Sequence, residues 1–483
     1  MPIVDDAEYN SQLLRLLCSP GDDCGVGRLC AADPNLYDHA SELGLNCTGT
    51  CYACLHKNLL PPAAEDFVGT ALLFAGGVLA GASGIGGGGL NVPILMLALG
   101  FIVNEATSIS HMMVVGNAIA QNLVNLRRRH PLDASRPLVD FDVPLLLLPA
   151  QLGGNALGVM FAPALPSAAL IILAAAILML AASKTLLRGV REFRREMRLI
   201  AGGDSPTRPA APRADPPGPG TSAGASIAGS ASASVEAPAL GGGHGKVVLA
   251  DDEALLGMPT TRREVGPLAK VGALVLFWLA VNADYFGIRY AANGERCTPA
   301  ALGWTAALLC AVGLACVGGG RMARAGGANA RVAGDIAWAS TAAMASAMGL
   351  AFLIGVLSGL LGLGGGELMA PLLLYLGMLP RVASATSAFM IIFTSSSNLV
   401  QYLVAGVLAP ELGYVAWAVC LGFTSALVGR VGAIHLVASW DHPSLIVLSL
   451  GLLLSLALVL LVVNSFAQGD ELTWTFTNFC DLD

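Results

Sequence analysis

A glycine-rich motif occurs twice in the 483-residue chain, and both copies lie within strongly apolar sequence. A constant separation of 278 residues relates Gly77, Gly81, Gly84, Gly86, Gly87, Gly88 and Pro93 to Gly355, Gly359, Gly362, Gly364, Gly365, Gly366 and Pro371. Such a run cannot form an uninterrupted helix, because glycine costs about 1 kcal/mol and proline about 3 kcal/mol relative to alanine in a helix interior. The duplication therefore predicts a broken helix in each of two repeats.

The composition places both repeats in a membrane. Hydrophobic residues make up 55% of the chain and charged residues 12%, with a mean hydropathy of +0.68, whereas soluble domains carry about 25% charged residues. This composition predicts an all-α, polytopic membrane protein with the lipid bilayer as a partner, and it gives no support to a nucleic-acid ligand. In secondary transporters, paired helix breaks of this kind mark the substrate site.

Apolar stretches mark the candidate membrane segments. They fall near 67–83, 90–103, 107–126, 141–162, 167–187, 268–288, 300–318, 336–361, 368–379, 385–408, 412–434 and 443–466. Most reach the roughly 20 residues that cross a bilayer, but 90–103 and 368–379 are short enough to be half-helices or re-entrant pieces. We therefore expect roughly 10–12 transmembrane segments.

The stretches divide the chain into six parts. These are a cysteine-rich region (1–66), a first repeat (67–188), basic juxtamembrane segments with a linker (189–267), an extra transmembrane hairpin (268–318), a second repeat (336–466) and a tail (467–483). Residues 201–245 are rich in Gly, Pro, Ala and Ser and have no apolar period. That composition predicts a disordered linker.

The arginines predict the topology. They collect in short loops at 127–136, 188–198, 262–270 and 321–331, which should be cytosolic under the positive-inside rule. If all the apolar segments span, the N-terminus lies outside, the first repeat opens inward and the second opens outward, which makes the repeats inverted. If the two short segments are re-entrant, the repeats become parallel and the N-terminus moves inside.

The N-terminal region favours the first topology. An even number of cysteines in a short polar stretch is typical of a disulfide framework in an oxidising compartment; they are Cys18, Cys24, Cys30, Cys47, Cys51 and Cys54. Asn46 begins an acceptor sequence for N-glycosylation. Both features predict an extracellular or lumenal N-terminus and a cytosolic linker. The alternative is a zinc site formed by Cys47, Cys51, Cys54 and His56.

The glycine motifs predict an anion site. Consecutive glycines at the start of a new helix offer unblocked N–H donors at the positive end of the helix dipole. Glu367 stands where the first copy has Gly89, and an acid in a membrane segment is usually functional. We interpret Glu367 as a candidate proton carrier or as a boundary residue at the outer face. The alternative role of glycine is close helix packing, which we assign to Gly81 and Gly359, with Pro93 and Pro371 as structural residues.

A second helix, rich in small polar residues, follows each glycine motif, and its hydroxyls and amides either line a hydrated path or join helices. His111 on the first of these helices is a second candidate proton carrier. The candidate anion-binding residues are Ser83, Gly86, Gly87, Gly88, Gly89, Asn91, Thr107, Ser108 and Asn117 in the first repeat, and Gly364, Gly365, Gly366, Thr386, Ser387, Ser396 and Asn398 in the second.

These motifs carry a family resemblance. The Gly-x-Gly-Gly-Gly sequence with Pro93, the Ala-Thr-Ser sequence at 106–108 and Val-Asp-Phe-Asp at 139–142 resemble the sulfite exporter TauE/SafE family, particularly its plant and protist branch, and 359–371 with 383–401 resemble its second repeat. The resemblance implies an exporter of sulfite, sulfoacetate or related anions in the plasma membrane or an endomembrane of a eukaryote. From the paired helix breaks we expect the anion to bind near the membrane midplane, between the two breaks.

Other functions stay open at this point. The chain can be a permease for another organic or inorganic anion, or a membrane receptor or scaffold that uses the cysteine-rich region as its ectodomain. An enzyme is disfavoured because the membrane segments contain no clustered metal ligands and no nucleophile with a partnered base. We accordingly expect no catalytic residues, metal or cofactor, and a proton is the candidate coupling ion.

Overall fold

The computed structural model describes residues 17–20, 22–32, 52–161, 165–201, 266–291, 297–326, 336, 340–361, 366–404, 412–440, 442 and 444–467. Two short antiparallel strands, β1 (Arg28–Ala32) and β2 (Tyr52–His56), precede the helices. The first group of helices is α1 (Ala64–Ser83), α2 (Gly88–Leu99), α3 (Val103–Asn125), α4 (Asp142–Phe161) and α5 (Ser167–Ala201). A hairpin of α6 (Pro267–Ala291) and α7 (Pro299–Gly326) follows. The second group is α8 (Thr341–Leu361), α9 (Gly366–Tyr375), α10 (Pro380–Val404), α11 (Leu412–Trp440) and α12 (Ser444–Ala467).

The helices confirm the all-α, polytopic prediction. Among the described residues, eight helices are long and apolar enough to cross a membrane. The two long helices outside that set are α3 and α10, which carry the polar residues, and α2 and α9 are the two short ones. The basic run after residue 188 continues α5 as helix as far as Ala201.

Contacts of the N-terminal strands define one end of the helical bundle. Lys57 Nζ lies 2.7 Å from Asp66 Oδ2 at the start of α1, and Arg28 NH2 lies 2.6 Å from Glu105 Oε2 in the first turn of α3. His56 Nε2 is 2.8 Å from the carbonyl oxygen of Leu99 at the end of α2. We call this end the cysteine face. The short α2, about 18 Å long, therefore returns the chain to the face at which α1 starts.

The second repeat runs in the opposite direction. The chain reaches the other end of the bundle, which we call the arginine face, where α3 ends and Arg127, Arg128 and Arg129 follow. From there α4 runs beside α8 in the same sense: a Cβ built at Gly154 would lie 2.1 Å from the Phe352 carbonyl oxygen, and one at Gly158 would lie 2.2 Å from that of Val356. Consequently α8 starts at the arginine face and α1 at the cysteine face, which confirms the inverted repeats.

Glycines lock the repeats together. The helix α8 of the second repeat packs on α4 of the first, and α1 of the first packs on α11 of the second. A Cβ built at Gly359 would lie 2.3 Å from the carbonyl oxygen of Asn155, and one at Gly81 would lie 2.5 Å from that of Ala426. Gly81 and Gly359 thus bring pairs of helix backbones into direct contact, which no larger residue permits.

Two disulfides hold the N-terminal segment, Cys18–Cys30 and Cys24–Cys54. Cys297, just before α7, is disulfide-bonded as well. Cys47, Cys51 and the acceptor Asn46 lie outside the described residues. The zinc alternative loses two of its ligands, because Cys54 is in a disulfide and both ring nitrogens of His56 contact carbonyl oxygens.

The docking of this segment on α2 is expected to depend on pH. His56 stacks on Phe101 with ring centroids 3.7 Å apart. Burial lowers the pKa of His56 below its ordinary value of 6.5, and this effect outweighs the two carbonyl contacts, which by themselves favour the charged ring. Because the undocked imidazole binds a proton more readily, docking is stable above about pH 6.5 and weakens as the pH falls below it. Hydrogen exchange at residues 99–102 should accelerate on acidification to pH 5.5, after correction for the intrinsic rate.

A His56→Gln variant provides the control for this prediction, because its side chain does not titrate. Its corrected exchange at residues 99–102 should not change between pH 7.5 and 5.5. An identical acceleration in both proteins would contradict a role for His56.

Candidate functional site

The first helix break is a loop of glycines between α1 and α2. The chain leaves α1 through Gly84 (φ 86°) and enters α2 through Gly87 (φ 78°), two left-handed conformations that favour glycine. The first backbone N–H groups of α2 have no partner within the helix and lie at the positive end of its dipole. In the second repeat α9 begins at Gly366, whereas Gly364 and Gly365 lie outside the described residues.

The two helix breaks meet at a hydrogen bond between equivalent positions. The backbone N–H of Gly89, in the first turn of α2, donates to Glu367 Oε1 over 2.5 Å. Glu367 lies in the first turn of α9, and the two residues are 278 positions apart. Two half-helix N-termini of opposite direction therefore face each other, and a carboxylate oxygen lies between them.

Glu367 is an incompletely satisfied acid. The residue is 1% exposed, and its Oε2 has no hydrogen-bond partner among the described residues. Among the described residues, no cationic side chain forms an ion pair with Glu367. The burial of Glu367 where the two half-helices meet favours the proton-carrier interpretation over the boundary interpretation. A buried carboxylate held only by a helix N-terminus is costly and can be displaced.

Further polar atoms surround the break. The Ser110 hydroxyl on α3 donates to the Gly88 carbonyl oxygen over 3.3 Å, and Gln121 donates to the Ile85 carbonyl oxygen and to Asn117 Oδ1. Asn91 Oδ1 and Gln121 Oε1 are buried without a partner among the described residues. Buried polar atoms normally have partners, so these oxygens favour a hydrated site at the break.

A chain of side chains connects three helices beside this site. The Asn398 amide on α10 lies 2.8 Å from His111 Nε2 on α3, and Asn398 Oδ1 accepts from Asn155 on α4 over 2.8 Å. His111 Nδ1 lies 2.7 Å from the Thr107 carbonyl oxygen. Because a carbonyl only accepts, Nδ1 carries the hydrogen and Nε2 accepts from the amide, which is the pattern of a neutral imidazole. This geometry favours Glu367 over His111 as the proton carrier.

The remaining predicted residues divide by their contacts. Ser387 donates to the Gly84 carbonyl oxygen over 2.9 Å, and Thr386 Oγ1 accepts from the Asp140 N–H over 3.2 Å. Ser108 is fully buried on α3, and Gly86 packs against Val114. Among the described residues, the hydroxyls of Ser83 and Ser396 instead donate only to carbonyl oxygens of their own helices.

Three buried polar residues of the helices were absent from the sequence predictions. They are Asn155 on α4, Asp284 on α6 and Arg430 on α11, which are 2%, 7% and 3% exposed. Each lies in a predominantly apolar stretch, and a polar residue within such a stretch is the sequence signal that would have found them. Within the described residues, the one cluster of potential metal ligands is Cys18, Cys24 and Cys54, and all three are in disulfides.

Comparison with known proteins identifies a family. The family model described as "Sulfite exporter TauE/SafE" matches residues 69–325 and 347–477. Sulfite exporter TauE/SafE family protein 5 of Arabidopsis thaliana is 29% identical over 437 residues, which cover 86% of each chain. Family protein 1 of the same plant is 28% identical over 436 residues, or 86% of this chain and 88% of that protein.

A bacterial relative matches a shorter region. The probable membrane transporter protein YunE of Bacillus subtilis is 43% identical over 58 residues, which cover 12% of this chain and 21% of that protein. No solved structure matches the chain.

Proposed function

The chain belongs to the sulfite exporter TauE/SafE family, and from that premise we propose that it exports a small sulfur-containing anion such as sulfite or sulfoacetate. The family and the membrane-spanning helices make it an integral membrane transporter. The anion binds between the two glycine breaks near the membrane midplane. The repeats at 67–188 and 336–466 form the transport unit, to which the hairpin at 268–318 adds two helices.

The hydrogen bond from Gly89 to Glu367 is the observation that carries this proposal. It supports an oxyanion site because the N-terminus of α2 donates to a carboxyl oxygen, and sulfite and sulfonates present oxygens of the same kind to a donor. A sulfur oxyanion offers three such oxygens, so one can replace the carboxylate while others reach neighbouring donors. The glycines let the backbone approach the anion closely because they carry no side chain.

Glu367 gives the site a way to couple the anion to a proton. While the carboxylate is ionised it competes with the substrate for the Gly89 N–H, and protonation removes both its charge and its advantage as an acceptor. Binding of the anion is then linked to uptake of a proton by Glu367. The inverted repeats supply the two access states. The pair α1–α2 can open toward the cysteine face, and the pair α8–α9 can open toward the arginine face.

Flux measurements in proteoliposomes test the proposed substrate class. Purified full-length protein should move sulfite or sulfoacetate faster than protein-free vesicles do, and unlabelled anion should compete. Preferential flux of a carboxylate would favour the organic-anion permease. No flux of any tested anion, with the protein folded and inserted, would overturn the transporter site and leave a receptor or scaffold.

We further propose that the cysteine face is extracellular or lumenal and that the linker within 189–267 is cytosolic, in the plasma membrane or an endomembrane. The described disulfides lie at this face, and the arginine-rich ends of α3 and α5 lie at the other. A tag at residue 1 should be accessible in sealed cells or vesicles, and Asn46→Gln should abolish a glycosidase-sensitive mobility shift. A tag detected only after permeabilisation would reverse this orientation.

A further inference from the structure

Arg430 is a buried arginine in the apolar helix α11. The residue is 3% exposed. Its Nε donates to Asn125 Oδ1 over 2.8 Å, and its NH1 donates to the Ser384 hydroxyl over 2.7 Å. In the described ranges no carboxylate forms an ion pair with it. A buried guanidinium without a counter-charge is expensive in a membrane protein and usually functional.

Other positive groups converge on the same place. Arg128, in the loop after α3, and Arg381, in the first turn of α10, both lie close enough to interact electrostatically with Arg430. The N-terminus of α10 adds the positive end of its dipole. Like charges brought together raise each other's energy, so Arg430, with no ion-paired carboxylate among the described residues, favours an anion from solution beside it.

The arginine cluster adjoins the glycine break. Ser384, which accepts from Arg430, lies against Gly84: a Cβ built on that glycine would be 2.0 Å from the Ser384 hydroxyl oxygen. Ser387, one turn further along α10, donates to the Gly84 carbonyl oxygen. A contiguous set of side chains thus connects the arginine face with the loop that begins α2.

We infer that Arg430, Arg128 and Arg381 form an entry site for a small oxyanion at the arginine face, separate from the site at Gly89. This inference rests on the proposed function, whose substrate class it shares. The site captures the anion before it passes to the helix break, and Arg430 holds it because its guanidinium remains buried, oriented and unneutralised. A purely structural role, in which Arg430 ties Asn125 to Ser384, requires neither Arg128 nor Arg381.

Sulfite flux measured separately from each side of oriented proteoliposomes tests the entry site. In Arg430→Gln, the KM for sulfite from the arginine face should rise about tenfold, which is the loss of one charge-assisted hydrogen bond, with kcat maintained. Arg430→Lys keeps the charge but loses the planar guanidinium that bonds Asn125 and Ser384, so its KM should lie between those of the wild type and Arg430→Gln. The exposed Arg321 at the end of α7 provides a matched control, and Arg321→Gln should leave KM unchanged.

Arg381→Gln and Arg128→Gln keep the test informative if Arg430→Gln fails to fold. Each should raise KM from the arginine face about threefold, more at low than at high ionic strength. An unchanged KM in these variants, beside normal wild-type flux, would overturn the entry site and leave the proposed function intact. Absence of sulfite flux in the wild-type protein would instead overturn the proposed function.

Discussion

Replacing Glu367 with glutamine is expected to abolish sulfite accumulation driven by a pH gradient while sulfite exchange at equal pH continues. Glutamine resembles the protonated carboxyl group in shape and charge, but its amide does not gain and lose a proton and so cannot couple to the pH gradient. The Gly89 N–H then becomes available to the substrate at every pH. In proteoliposomes, the wild-type protein should accumulate sulfite when the gradient is imposed, and the variant should only equilibrate it.

The matched control for this variant is Asp284→Asn, which removes a different buried acid from α6. Asp284 is 7% exposed and one of its oxygens has no partner in the described part of the chain, so the substitution is chemically equivalent. Gradient-driven accumulation should survive it. Loss of accumulation in Asp284→Asn with retention in Glu367→Gln would move the coupling site to α6, and loss of exchange in Glu367→Gln would make the acid part of the binding site.

The broken helices and their inverted arrangement followed from the sequence, because both depend on local composition. Consecutive glycines followed by Pro93 or Pro371 cannot continue a helix. The arginine-rich loops, which should all lie on one side of the membrane, imply that the two copies of the motif run in opposite directions. Signals of this kind extend over many residues. They can therefore be recognised in the sequence without any information about tertiary contacts.

The contact between Gly89 and Glu367 was not predicted, although the residues that form it were. In a pair of inverted repeats, residues near the axis between them meet their own equivalents. Gly89 and Glu367 are such a pair, so the exchange of glycine for glutamate in one repeat places the acid against the backbone of the other. The sequence shows that Glu367 replaces the glycine of the first repeat, but it does not show how far this position lies from the axis between the repeats.

The roles of single side chains were least accessible. Ser396 and Asn398 belong to one polar run of α10, yet Ser396 bonds to its own helix whereas Asn398 bridges His111 and Asn155. The two residues are two positions apart, which is about 200° around a helix, so they lie on different faces of α10. Only the packing of α3 and α4 against α10 decides which of the two side chains faces inward. Arg430 was missed because a lone charge contributes nothing to a periodic pattern.

Replacing Gly359 with alanine is expected to destabilise the protein strongly. A Cβ at this position would lie 2.3 Å from the carbonyl oxygen of Asn155 and 2.7 Å from the backbone nitrogen of Val159. Both neighbours are main-chain atoms of α4 and cannot rotate away, so α8 and α4 must separate along their contact. Overpacking of this kind costs about 1–3 kcal/mol, and in a chain of this length the thermal unfolding midpoint should therefore fall by about 1–3 °C.

The same helix offers a matched control in Gly349→Ala, because a Cβ there would meet no atom within 4 Å. Alanine at Gly349 should leave the midpoint unchanged or raise it, since alanine favours the helix. Substitution of Gly87 cannot separate anion binding from stability. Any side chain there is strained by the φ of 78°, and its Cβ would lie 2.9 Å from that of Ala80. Equal midpoints for Gly359→Ala and Gly349→Ala would show that close backbone contact between α8 and α4 does not hold the two repeats together. In that case α8, which leads to Glu367, could move without breaking such a contact.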